Sequence, residues 1–363
     1  MEIYTHIYNK STNRFDAVGI IDTATSIIWS KKYQGAGDFE VYIRASRETL
    51  ELFSENEVML TKAGDDGGML AENIELKTDF ENGNYLTITG RSLESVLARR
   101  IIPAQVNYTG TAENALRSIV ISNFLAQIPA ARYMPIMAVA TSHGYAETID
   151  RQFTGKNCLD TIADICTAVG YGFKITRSGG YFLFDLYKPV DRSAQQTDRP
   201  FIMFSPEFDN IGNTDYRKNK ADFYNSIYVA GQGQGSERII YNLSTTETGF
   251  YRREKWVDSR NTSSTTADGE LTPTQYRKLL RDQAEEELHL RDIVTSFSGE
   301  IITSNNGYAY GIDYGLGDIV SVKNEYGIEG TAHVAEITEV EDETGYRQYP
   351  TLSEWQEIEE DET

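Results

Sequence analysis

Short runs that alternate apolar and polar residues dominate the first part of the chain. Aromatic and β-branched residues recur at every second position in Phe39–Ile43 and in Tyr85–Thr89. Glycine and asparagine separate these runs, as is typical of turns. The pattern predicts that residues 1–102 are mostly β. It also predicts a short helix over Leu93–Ala98, with Ser92 as its N-cap.

The middle of the chain, residues 103–190, combines helical and strand patterns. Thr111 and Asn157 each precede apolar residues at helical spacing, which predicts two capped helices. A β-hairpin is predicted over 173–184 because two apolar runs flank a glycine pair. Residues 127–150 contain two prolines and no clear period, so we expect a loop with at most one strand. The segment is therefore predicted to be α/β.

The last part of the chain begins with a polar segment, 188–200, that prolines bracket and that is predicted to be a linker. Strands follow until one further helix begins at Thr272. Pro273 occupies its first position and Gln275 lies three residues after the cap, which is a strong N-terminal signal. The predicted fold class is α+β, mostly β. The predicted segments are a β-module at 1–102, an α/β domain at 103–190, a second β-module at 191–257 and 293–352, a helical insertion at 258–292 and an acidic tail at 353–363.

The two β-modules share a pattern at a constant offset of 262 residues. In each, a strand-like run leads through a glycine into a second run, and a Glu-x-Gly turn leads into a third. Two β-meanders can share turn glycines without being repeats, so this alternative stays open. If the repeat is real, a trimer would present six similar units to a six-fold partner. The matches are Val58 with Val320, Leu60 with Val322, Gly68 with Gly330, Glu81 with Glu343 and Gly83 with Gly345.

The charge of the chain argues against nucleic-acid binding. Its 34 basic residues face 55 acidic ones, the net charge is −21, and no basic run exceeds two residues. Cys158 and Cys166 lie too far apart along one predicted helix for a disulfide, so we expect buried thiols in a reducing cytosol. The start of the chain has no signal-peptide pattern, and no apolar run is long enough to span a bilayer.

Local signatures of catalysis or ligand binding are weak. The chain has four histidines without metal-ligand spacing. The glycine-rich segment Gly231–Gly235 lacks the sixth-position glycine and the following helix of a dinucleotide site, so a hairpin loop is predicted. We therefore predict no catalytic residue, no cofactor-binding residue and no metal ligand. A hydrolase with dispersed carboxylates stays open, because acidic residues are abundant.

Ten short segments carry a family resemblance through their order and spacing. They resemble the tail-tip (baseplate) hub proteins of long-tailed phages and prophages, a family that also forms the amino-terminal hub of tail-associated lysins. The resemblance covers about residues 1–352. The segments are Ile20–Asp22, Ile28–Trp29, Gly37–Glu40, Ile74–Thr78, Gly83–Leu86, Thr89–Ser95, Gln152–Asn157, Phe204–Asn210, Gly317–Val320 and Glu325–Ile328.

The resemblance implies a homotrimer in which both β-modules are β-barrel-like tube domains that form a ring around the DNA channel. The implied partners are the distal tail ring and tail tube, the tape-measure protein, and a tip spike or receptor-binding proteins. DNA would pass through without specific binding, and no membrane anchoring is expected. The expected location is the virion tail tip, with the host cytoplasm during assembly.

One departure from the family concerns enzymatic activity. Many relatives continue into peptidase or receptor-binding domains, whereas this chain ends at residue 363. We therefore expect a structural protein rather than an enzyme, with wall cutting or host binding left to a partner. The alternatives are a cell-wall glycan or peptide hydrolase of a phage tail and a carbohydrate-binding β-protein.

Overall fold

The computed structural model of the chain describes residues 2–81, 83–127, 129–266, 269–290, 294–302 and 307–357. In these residues the α-helices are α1 (Arg47–Glu55), α2 (Ala112–Val120), α3 (Cys158–Val169) and α4 (Pro273–Leu290). The strands are β1 (Ile3–Asn9), β2 (Arg14–Ile21), β3 (Ala24–Lys32), β4 (Asp38–Arg44), β5 (Val58–Lys62), β6 (Met69–Asp79), β7 (Gly83–Ser92), β8 (Val106–Thr111), β9 (Met137–Val139), β10 (Thr148–Phe153), β11 (Gly172–Ser178), β12 (Tyr181–Tyr187), β13 (Met203–Phe204), β14 (Ile211–Asn219), β15 (Ser226–Ala230), β16 (Ile240–Ser244), β17 (Glu254–Asp258), β18 (Thr265–Thr266), β19 (Gly269–Glu270), β20 (Val294–Ile301), β21 (Ile319–Lys323), β22 (Glu329–Asp342) and β23 (Gly345–Glu357).

Strands from both β-modules form one open, thirteen-stranded sheet. Its main path is β14-β20-β23-β22-β3-β4-β7-β6-β5-β1-β2, and β21 joins β22 and β13 beside this path. The prediction of a mostly β, α+β chain is confirmed. The two β-modules share this continuous sheet, and neither closes into a barrel by itself within the described residues.

Alternating side chains explain how one face of this sheet becomes a core. In β4, Phe39, Val41 and Ile43 are buried, whereas the residues between them are only half-buried. Trp29 of β3 belongs to the same buried cluster. The second β-module has its own cluster, in which Phe297 of β20 is fully buried.

Helix α1 covers the core of the first β-module and was not predicted from the sequence. The Ser46 hydroxyl caps it by accepting a hydrogen bond from the amide of Thr49, and the Ser46 amide donates in turn to the Thr49 hydroxyl oxygen. Phe53 on this helix is buried in the cluster. The signal was available in this cap and in the spacing of Leu50 and Phe53, but the surrounding strand patterns obscured it.

The predicted helices and hairpin of the middle segment are present. The side chain of Asn157 caps α3 by accepting a hydrogen bond from the amide of Leu159 at 2.9 Å, and Gly170 ends the helix in the left-handed conformation. Thr111 precedes α2 but makes no capping hydrogen bond with its side chain. The helix predicted after Ser92 is a 3₁₀ helix rather than an α-helix.

A separate small unit forms around α4. The capping box predicted at Thr272 is confirmed, since the Thr272 amide donates to Gln275 Oε1 at 3.0 Å and the Gln275 amide donates to Thr272 Oγ1 at 3.3 Å. Strands β15, β16 and β17 form their own sheet, which packs Ile227 and Val229 against Tyr276 of α4. These three strands were predicted to belong to the second β-module, but they lie outside the long sheet.

The predicted linker, 188–200, is bound to the second β-module instead of being a free connection. Asp318 accepts a hydrogen bond from the amide of Val190 at 2.9 Å and forms an ion pair with Arg192 at 2.8 Å. The predicted acidic tail begins inside β23, and its last residues, 358–363, lie outside the described residues.

Candidate assembly interface

The two β-modules have the same strand order. In the first, the order is β3-β4-β7-β6-β5, and in the second it is β14-β20-β23-β22-β21. Strand β3 therefore corresponds to β14, β4 to β20, β7 to β23, β6 to β22, and β5 to β21. The internal repeat predicted from the sequence is confirmed at the level of whole strands.

Local irregularities repeat as well. Gly83 and Gly345 begin β7 and β23, with φ of 93° and 112°, a conformation that favours glycine. Both modules carry a β-bulge at the same place, between Ala71 and Asn73 in β6 and between Val334 and Glu336 in β22. Because such bulges are specific features of a strand, a chance likeness of two β-meanders does not account for them.

The constant offset of 262 residues holds in β7 and β23 but is wrong in the neighbouring strands. Asp79 lies opposite Gly83, whereas Asp342 lies opposite Gly345, so the first turn contains one more residue. Each residue of β6 therefore corresponds to a residue of β22 that lies one position further along the chain than predicted.

The two modules join through antiparallel pairing of β3 with β22, which we call the module junction. It extends from Lys32 opposite Glu336 to Ile27 opposite Glu341. The hydroxyl groups of Ser30 and Thr338 lie 2.9 Å apart across it. The two similar units thus share one continuous sheet.

A buried ion pair lies on the core side of this junction. Lys62 of β5 pairs with Glu339 of β22, and each side chain is 12% exposed. The Tyr346 hydroxyl donates to the other oxygen of Glu339 at 2.7 Å. The ammonium group of Lys62 also lies 5.6 Å from the ring centre of Trp29.

A second ion pair lies inside the first module, next to a hydrogen bond that joins this module to the α/β segment. Lys31 lies 2.6 Å from Asp65, whose side chain is 3% exposed, and Arg177 of β11 donates to the Asp65 carbonyl at 2.7 Å. Burial raises the pKa of the Asp65 carboxyl, but Lys31 and the amide of Gly67 outweigh burial. The pKa of Asp65 therefore lies below its ordinary value.

Two strand edges correspond to the pair of edges that meet at the module junction, but they have no partner strand in the described residues. At the module junction, an edge of β22 pairs with an edge of β3. The counterpart of β22 is β6, whose equivalent edge has no partner strand after the bulge. The counterpart of β3 is β14, whose equivalent edge also has no partner strand. In the described part of the chain, no strand pairs with either of these two edges. An unpaired strand edge is a template for another strand.

The face of the long sheet opposite the core carries charges that pair with each other. Arg91 of β7 forms two hydrogen bonds with Glu72 of β6, at 2.7 and 2.8 Å. Further pairs on the strands of this sheet join Lys32 to Asp38 and Arg347 to Asp342.

The residues considered for chemistry are dispersed. His6, His143 and His333 contact Thr61, Asp185 and the Gly317 carbonyl respectively, and the described residues contain no cluster suited to a metal ion. The segment Gly231–Gly235 lies in the predicted loop between β15 and β16. Cys158 and Cys166 are free and buried, as predicted. Among the described helices, none is both long and apolar enough to cross a membrane.

The fold is that of phage and prophage tail proteins. It is similar to the tail protein from Neisseria meningitidis MC58, with a TM-score of 0.56, 13% identity, and 97% of this chain and 96% of that chain covered. It is also similar to the 43 kDa tail protein of prophage MuSo2 from Shewanella oneidensis, with a TM-score of 0.55, 13% identity, and 97% of both chains covered.

Residues 4–352 match the family model described as Siphovirus ReqiPepy6 Gp37-like protein, and the chain belongs to this family. No curated protein is significantly similar to it in sequence. The resemblance to phage tail proteins is therefore confirmed.

Proposed function

We propose that the chain is a structural tail-tip (baseplate) hub that assembles as a homotrimeric ring with pseudo-six-fold symmetry. The observation that carries this proposal is the pair of equivalent open edges. The module junction joins the edge of β3, a β3-type edge, to the edge of β22, a β6-type edge. Within the described residues, β14 keeps one β3-type edge without a partner strand, and β6 keeps one β6-type edge without a partner strand after its bulge. Head-to-tail pairing of copies would repeat the junction, and such interfaces form a ring when the rotation between successive copies closes.

In this proposal the ring joins the tail tube and distal tail ring to the tip and surrounds the DNA channel. The tape-measure protein and a tip spike or receptor-binding proteins are its further partners. The sheet face opposite the core would line the channel. On this face Lys32, Arg91 and Arg347 are each paired with an acid, so they form no basic patch that would bind DNA, which suits passage without retention.

The proposed tube domains are the two β-modules, at 1–102 and at 191–257 with 293–352, apart from β15, β16 and β17, which form their own sheet with α4. This small unit, the α/β domain at 103–190 and the rest of the helical insertion at 258–292 would lie beside the tube. Assembly would take place in the host cytoplasm, and the final location would be the virion tail tip.

Light scattering of the purified protein at micromolar concentration tests the ring. We expect a mass three times the 40.9 kDa of the chain. Electron microscopy of the same sample should then show rings with a central channel. A monomer at every concentration would contradict self-assembly of the ring. Peptidoglycan turnover that one Asp or Glu substitution abolishes would contradict a purely structural role.

A further inference from the structure

The strand pairing of the repeat identifies equivalent residues on the β3-type edges. Trp29 of β3 lies opposite Phe39, and Tyr216 of β14 lies opposite Phe297. On the other side, Phe39 pairs with a residue of β7 and Phe297 pairs with a residue of β23. These two partners occupy equivalent positions in the repeat. Tyr216 therefore takes the place of Trp29. Both side chains pack against the buried cluster of their own module.

The shared bulge identifies equivalent residues on the β6-type edges. Asn73 is the first paired residue after the bulge in β6, and Glu336 is the first after the bulge in β22. Counting along the strands from these positions, Leu76 of β6 takes the place of Glu339 of β22. Leu76 is an apolar side chain that is 43% exposed, as expected for an edge that lacks its neighbour.

The module junction then gives the register of a junction between copies. Within the chain, Trp29 lies opposite Glu339. We propose that β14 of one copy pairs antiparallel with β6 of the next copy, with Tyr216 opposite Leu76. This inference rests on the proposed ring and adds to it the partner strands and their alignment. It places an apolar pair where the junction within the chain has the buried Glu339.

Charges on both edges are complementary in this register. Arg217 faces Glu75, and Asp215 faces Lys77. In the single chain each edge pairs its own charges, with Arg217 2.6 Å from Asp215 and Lys77 3.3 Å from Glu75. All four side chains are about half exposed or more, so they are free to exchange partners. Opposite charges across adjacent strands stabilise the pairing.

Neighbouring registers are unfavourable. A shift of two residues in one direction sets Arg217 against Lys77 and Asp215 against Asp79. A shift of two in the other direction sets Asp215 against Glu75. A shift of one residue moves every side chain to the opposite face of the sheet. The charges of the two edges therefore favour one alignment.

In this register the side chains at positions 217 and 75 would lie close together. The Tyr33 amide donates to the carbonyl of Ala335 directly opposite, so these two residues are a hydrogen-bonded pair. Hydrogen-bonded and non-hydrogen-bonded pairs alternate along an antiparallel ladder. Ser30 and Thr338, which lie opposite each other, are therefore a non-hydrogen-bonded pair. Arg217 and Glu75 take the places of Ser30 and Thr338. In such pairs the Cα atoms are about 4.5 Å apart, within reach of a disulfide.

Cysteine cross-linking tests the register. The double variant Arg217→Cys/Glu75→Cys carries its cysteines on opposite edges of one chain, so a disulfide between them joins two copies. With copper phenanthroline as the oxidant, we expect a covalent trimer on non-reducing gels. The control Arg217→Cys/Lys77→Cys, displaced by two residues, should give at least about tenfold less cross-linked product.

Charge reversal provides a second measurement. Arg217→Glu sets like charges at every junction, and the closed ring contains that junction three times. The protein concentration needed for assembly should rise by about tenfold or more. Adding Glu75→Arg in the same chain should restore assembly. Arg47→Glu, which reverses a cation that is 89% exposed on α1, should leave assembly unchanged.

The outcomes separate the register from the ring. A trimer that cross-links through positions 217 and 75 supports both. A trimer that fails to cross-link there, or that cross-links equally well through 217 and 77, overturns the register and leaves the ring in place. A protein that stays monomeric and forms no cross-link overturns the ring, and the register falls with it.

Discussion

Removing one partner of the buried ion pair between Lys62 and Glu339 is expected to destabilise the connection between the two β-modules. The two variants are Glu339→Leu and Lys62→Met. Each leaves a charge in a site where both side chains were only 12% exposed. The double variant removes both charges and replaces them with apolar groups.

The expected magnitude follows from this burial. Removing one member of a buried ion pair costs about 3–5 kcal/mol. With an unfolding entropy of about 2.1 cal/mol/K per residue, the 363-residue chain should lose about 4–7 °C in Tm if it unfolds cooperatively. The double variant should stay within about 1 kcal/mol of the unmodified protein, since apolar replacement of a buried pair is often neutral.

Thermal and denaturant unfolding of the four proteins measures this effect as a double-mutant cycle. Burial, together with the charge of Lys31, lowers the pKa of Lys62 to about 8. The assay is therefore run at about one pH unit below that value, where the ammonium group is charged. Arg47→Ala serves as the control, because it breaks an exposed pair with Glu51 on α1 that is worth about 0.3–0.5 kcal/mol.

A Glu339→Leu variant that loses no more stability than the Arg47→Ala control would refute this reasoning. A double variant as unstable as the two single losses added together would also refute it, because the two groups would then act independently.

Two further predictions concern the cores and the pH dependence of stability. Val58→Asp and Val320→Asp place a charge on residues that are 1% and 0% exposed, and each should lower the free energy of unfolding by more than about 3 kcal/mol. Val18→Asp, at a residue that is 50% exposed, is the control for denaturant unfolding, and equal midpoints in all three would contradict the assigned cores. Asp65→Asn should cost about 2–3 kcal/mol near neutral pH, because it breaks a charged hydrogen bond with Lys31. The pKa of Asp65 is lowered by folding, so its contribution is present above the unfolded pKa of about 4 and is lost as the pH falls through the folded pKa. Tm measured from neutral to acidic pH should therefore show the difference between this variant and the unmodified protein shrinking, and a constant difference would contradict the assignment.

Local signals in the sequence were reliable where a structure depends on neighbouring residues. The capping box of Thr272 and Gln275 and the Asn157 cap both formed as predicted. The hairpin over 173–184 formed too. Helix α1 was missed because strand patterns surround its nine residues and obscured both its Ser46 cap and the spacing of Leu50 and Phe53.

The sequence by itself determined that the chain is mostly β, that two of its parts are alike, and that it resembles phage tail proteins. These properties follow from alternation, turn glycines and short motifs, all of which are read within a few residues. The tertiary structure decided that β3 pairs with β22, residues that are some 300 positions apart. Strand alternation specifies which face is buried but not which strand lies at each edge. Only the folded sheet shows that the two units of the repeat join once, and that among the described strands the same two kinds of edge have no partner.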